Sequence, residues 1–154
     1  EAVNNQKTTL WSAALDNTEV KKYPDRELNH YIEFNSDQLD QTAKQYGVSR
    51  EDMLKQYDLD DEDEFNAVNE DSSKLRVKQE MLIQYIADKE NLSYTDKEKE
   101  ALIKSFEAQG YDADAIEQQT GRTLEDYVHI ELLYEKVLDF LLDNANITGA
   151  PTTE

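Results

Sequence analysis

Only four glycines and two prolines punctuate the 154 residues, and that scarcity constrains the fold more than any other feature. A β-sandwich or barrel turns every few residues and relies on Gly and Pro to do so, whereas helices need such punctuation only at their ends. Apolar residues agree, recurring in steps of three, four or seven along most of the chain. Leu10, Trp11, Ala14 and Leu15 start the pattern, and Pro24 is expected in the first turn of a second helix. That helix carries Leu28, Ile32, Leu39, Ala43 and Tyr46 as a stripe, interrupted by Asn35 and stopped at Gly47.

Ser49 with Asp52 reads as a capping pair for a short helix whose apolar side is Met53, Leu54 and Tyr57. A longer stripe follows through Phe65, Val68, Ser72, Leu75, Leu82, Ile83 and Ile86. Thr95 and Glu98 form a second capping box ahead of Leu102, Ile103 and Phe106, with a stop at Gly110 and a short helix over Asp112 to Gln118. Thr123 and Asp126 open the most regular segment, Tyr127, Ile130, Tyr134, Val137 and Leu141. Leu133, Leu138, Phe140 and Leu142 widen its stripe, so this helix is expected to be the most buried. No heptad register persists across Gly47, Gly110 or Gly121, which predicts antiparallel helical hairpins rather than a continuous coiled coil. The expectation is one all-α domain over 1–147, with 1–23 as a lead-in helix and linker and 148–154 as a frayed tail.

The formal net charge is -19, and it is unevenly spread. Gln56 to Ser73 holds eight acids and no bases, and Ser105 to Glu154 holds eleven acids against Arg122 and Lys136. Binding to nucleic acid or to an anionic membrane surface needs clustered Lys and Arg, so neither is expected of these residues. The run Asp58, Leu59, Asp60, Asp61, Glu62, Asp63, Glu64 superficially suggests a calcium loop. An EF-hand, however, places Gly at its sixth position and Glu at its twelfth. Asp63 and Asn69 stand there instead, and acids gathered at a helix N-terminus explain the run without a metal.

Catalytic chemistry finds little to work with. His30 and His129 are the only histidines, each beside acids on its own helix, and there is no cysteine. Packed or solvated imidazoles are the expectation, with no metal, cofactor or nucleophilic triad. The four glycines lie too far apart to form a phosphate loop. What stands out is aromatic content, with nine tyrosines, four phenylalanines and Trp11. Most of these are expected to staple helices together, yet tyrosine also tolerates water while gripping an apolar partner.

Four stretches, taken in order, carry a resemblance. They are Val20-Lys21-Lys22-Tyr23-Pro24 followed by Leu28; Tyr46 through Asp52; Ile86 through Glu98; and Glu135 through Ile147. Together they resemble the carboxy-terminal domain of bacterial trigger factor, from about Leu10 to Ile147. The resemblance implies a helical body with protruding arms that holds unfolded or nascent polypeptides in the cytoplasm without nucleotide. It also implies that ribosome docking and prolyl isomerisation belong to domains other than this one, so no enzymatic activity is expected here. The family has no short binding signature to carry over. Met53, Leu54 and Tyr57 on one short helix, and Tyr111 and Ile116 around another, become the candidate peptide-binding residues, because short segments bury less. Two other readings stand beside this one, the helical chaperone domain of an exported foldase and a non-catalytic adaptor for one folded partner.

Overall fold

The computed structural model describes residues 2–145, and among them the secondary structure is all α. The helices are α1 (Ala2–Asp16), α2 (Asp25–Tyr46), α3 (Arg50–Gln56), α4 (Glu62–Glu90), α5 (Asp96–Ala108), α6 (Ala113–Thr120) and α7 (Leu124–Asn144). The segment 148–154, expected to fray, lies outside the described residues.

Helix ends follow the sequence signals closely. Gly47 closes α2 in the left-handed region at φ 66°, a conformation that costs a side-chain-bearing residue about 1–2 kcal/mol. Ser49 accepts the Asp52 amide, Thr123 accepts that of Asp126, and Thr95 with Glu98 forms a reciprocal capping box. Such caps contribute about 1 kcal/mol each. Two ends differ from expectation. Pro24 is the N-cap of α2, one position before its first turn, and with no side-chain oxygen to offer it leaves the acids Asp25 and Glu27 to face the helix dipole. The short helix read as ending at Gln118 continues to Thr120, where Gly121 supplies the left-handed stop.

Within 1–147 the described residues form two compact units. One takes the described parts of Glu1–Glu19 and Met81–Glu154, and the other is Val20–Glu80. In the first, α1, α5 and α6 pack on α7. Its core gathers Trp11 and Leu15 of α1, Leu82, Ile83 and Ala87 of α4, and Leu133 and Val137 of α7. Trp11 meets Tyr134 edge-on, with ring centroids 5.0 Å apart. Lys99–Glu125 and Lys136–Glu98 ion pairs tie α5 to α7. His129 is part of this packing. Gln84 Oε1, 3.3 Å from Nε2, can only accept, so Nε2 carries the proton and Nδ1 accepts from the Tyr94 hydroxyl at 2.8 Å.

In the second unit α3 packs on α2, and Leu39, Ala43, Met53 and Leu54 form a small core flanked by Val48, Leu59 and Phe65. Here the expected stripe on α4 is not the buried one. Val68 and Leu75 are 52% and 51% exposed, while Asn69 and Ser73 are buried at 3% and 1%. Asn35, the residue that interrupts the α2 stripe, supplies the reason. Its Nδ2 donates to Asn69 Oδ1 at 2.8 Å and to Ser73 Oγ at 3.2 Å. Asn69 Nδ2 in turn donates to the Ile32 carbonyl at 2.9 Å. A buried amide must find partners, so these two polar interruptions turn toward each other and α4 rotates its apolar pair outward. Tyr46, expected on the α2 stripe, is 69% exposed because α2 ends on it. Tyr31, outside that stripe, is buried with its hydroxyl donating to Glu80 at 2.8 Å and the Arg76 guanidinium 4.0 Å from its ring centre.

Candidate functional site

The second unit carries the most distinctive surface feature. Beyond α3 the chain turns through Asp58, which sits in the left-handed region at φ 58°, a conformation Asp and Asn adopt more readily than other non-glycine residues. The Leu59 amide then reaches back to the Leu54 carbonyl at 3.0 Å. This turn keeps Leu59 against the core and leaves Tyr57 56% exposed.

An open cleft of about 430 Å³ results. Its apolar walls are Leu39 of α2, Tyr57 and Leu59 of the turn, and Phe65 and Val68 of α4. Between them lie Asn35, Gln38 and Thr42 from α2 and Asn69 and Ser72 from α4. The cleft therefore combines apolar side chains with hydroxyl and amide groups. That chemistry suits a peptide, whose apolar side chains alternate with backbone donors and acceptors.

The acid run beside the cleft has structural work. The Asp61 carboxylate accepts the Glu64 amide at 3.0 Å, and Glu64 accepts the Asp60 amide at 2.7 Å, so the pair caps α4. Glu62 pairs with Arg50, whose Nε lies 2.6 Å from Glu62 Oε1 and whose Nη1 lies 2.8 Å from Asp40 Oδ1. Arg50 also donates to the Ser36 carbonyl and hydroxyl, each at 3.2 Å, and its guanidinium lies 5.0 Å from the Phe65 ring centre. The Glu62 hydrogen bond, with help from Asp40, raises the guanidinium pKa above its ordinary value. Among the described residues no group of three His, Asp or Glu side chains could hold a metal ion.

The five candidate residues fall into distinct settings. Met53 and Leu54 are each 2% exposed and Ile116 is 4% exposed. Met53 and Leu54 hold α3 on α2, and Ile116 is the buried residue of α6, which packs on α7. A short helix without a second apolar residue to spare must bury what it has, so these three serve packing. Tyr57 and Tyr111 are on the surface. Tyr57 lines the cleft, and Tyr111 belongs to the other unit. Sequence reasoning passed over Val68, counted as core, and the polar floor. The available signal was Asn35, Gln38 and Thr42 recurring at i, i+3 and i+7 on α2, with Asn69 and Ser72 at i, i+3 on α4.

Known proteins define the class, a helical domain of trigger factors. The chain belongs to the family described as Bacterial trigger factor protein (TF) C-terminus, which matches residues 1–143. Trigger factor of Staphylococcus saprophyticus is 28% identical over 151 residues, 96% of this chain and 33% of that protein. Trigger factor of Bacillus cereus is 26% identical over 146 residues, 94% of this chain and 33% of that protein. For trigger factor of Bacillus licheniformis the values are 31% over 108 residues, 70% and 25%. The chain spans about a third of the length of the first two of these relatives, and the part it matches is the C-terminal domain, without the isomerase part. No solved structure matches it. Among the described residues no helix is long and apolar enough to cross a membrane.

Proposed function

We propose that these residues form a nucleotide-independent holding module, which binds unfolded or nascent polypeptide segments in the cytoplasm through the cleft of the Val20–Glu80 unit. The observation that carries the reading is the cleft itself, where Tyr57 and Val68 stand more than half exposed beside a polar floor. Apolar groups left open to water on a folded helix have a use when a partner covers them. The Thr42 and Ser72 hydroxyls donate to their own helices and keep lone pairs that can accept from an incoming backbone amide. Each contact is weak and none demands a particular sequence, which suits a surface that must take many clients and release them. The exposed Tyr111 extends the same chemistry to the other unit. A charge of -19 keeps a loaded complex soluble.

The test is light scattering from two chemically denatured, unrelated proteins diluted into buffer without nucleotide, with and without this chain. A holding module slows the aggregation of both. An adaptor for one folded partner leaves both traces unchanged.

A further inference from the structure

We infer that Arg50 is a positioning residue that sets the width of the cleft, through an ionic clasp between its two long walls. The inference rests on the reading of the cleft as the holding site. Arg50 opens α3, yet its guanidinium reaches past that helix in two directions. Toward α2 it bonds Asp40 and both oxygens of Ser36, one turn and less from Leu39 in the first wall. Toward α4 it takes both carboxylate oxygens of Glu62, at 2.6 and 3.2 Å, and lies against the ring of Phe65 in the second wall. Arg50 is not itself a cleft residue, so it acts on a bound segment only through the walls it holds.

The planar fork is what makes the clasp specific. A guanidinium can bind two carboxylates and a carbonyl in fixed directions while its face covers a ring, and an ammonium cannot. The Asp40 and Glu62 side chains are 46% and 51% exposed, so the clasp is open to screening. Salt should loosen it, because at 1 M the screening length shrinks to about 3 Å, comparable with these exposed contacts. The cleft would then be wider and its grip weaker at high ionic strength, opposite to the usual salt-strengthening of an apolar contact.

Two measurements on the full chain test this together. The protein has no cysteine, so Gln41→Cys with Asp71→Cys gives spin-label pairs on exposed positions of α2 and α4. The probe for binding is a fluorescein-labelled Gly/Ser decapeptide with one central Phe. Arg50→Met is expected to broaden the label distance distribution and weaken the probe about tenfold, with Arg50→Lys between it and the parent. Raising NaCl from 50 mM to 1 M should move the parent toward the Arg50→Met values and leave Arg50→Met itself unmoved. If Arg50→Met does not fold, the salt series on the parent and on Arg50→Lys decides. Unchanged distances and affinity in these variants, with Tyr57→Ser and Val68→Ser still weakening the probe, overturn the clasp and leave the holding site standing. Loss of neither affinity nor distance in any variant overturns both.

Discussion

Asn35 Nδ2 donates to Asn69 Oδ1 across 2.8 Å, joining the polar residues that interrupt the apolar faces of α2 and α4. The pair decides which face of α4 turns inward and so which side chains the cleft displays. Asn69→Ala takes from the Asn35 amide its shorter acceptor, from the buried Ser73 hydroxyl its acceptor and from the Ile32 carbonyl a donor, at a cost of about 2–3 kcal/mol. Urea denaturation should record that loss. Asn35→Leu and Asn69→Leu combined with Ser73→Ala should cost less than Asn69→Ala alone, because no member of the buried side-chain network is then left unsatisfied.

Met53 and Tyr57 lie one helical turn apart, but only Met53 is core. Met53→Ser is expected to destabilise by about 2–4 kcal/mol. Tyr57→Ser should stay within about 0.5 kcal/mol of the parent in the same melt, while reducing the suppression of aggregation.

Glu98 accepts from Lys136 and from the backbone and hydroxyl of Thr95, which together hold its carboxyl pKa down to about 2. A depressed carboxylate stabilises the fold above its unfolded value, and that contribution disappears as pH falls toward 2. In Lys136→Met the largest cause is gone. The Glu98 titration followed by NMR should then move up toward the ordinary glutamate range, and less of the variant's stability should be lost as pH falls below that range.

Glu131 presents the opposite sign. Burial, then the neighbouring Glu135, raises its pKa. Its charged form is thus the less stable one in the fold, and stability falls as pH rises through the window above the unfolded value. Glu131→Gln should raise the melting temperature by about 1–2 °C at pH 7 and have no effect at pH 3, where the parent carboxyl is already protonated.

Much of the fold was legible because helix signals are local. Ser49, Thr95 and Thr123 cap as their spacing indicates, and Gly47 and Gly110 lie in left-handed backbone where the helices before them stop. Facing was less legible. Val68 and Leu75 satisfy a helical apolar period as well as any core pair, and nothing along α4 alone says that Asn69 and Ser73 outrank them. That outcome requires Asn35, 34 residues away from Asn69 in sequence. Exposure was readable to the same degree: Tyr57 stands open to solvent as a residue of a short segment can, whereas burial of Met53, Leu54 and Ile116 depended on the neighbour each helix met.

Methyl groups lining the cleft of the Val20–Glu80 unit report whether it holds non-native polypeptide. Methyl NMR of the leucine- and valine-labelled chain, titrated with a permanently unfolded protein, examines it most directly. Leu39, Leu59 and Val68 should shift first and together, while Val128 and Val137 in the other unit's interior stay in place. Shifts confined to other methyl groups, with Leu39, Leu59 and Val68 unmoved at saturation, would contradict it.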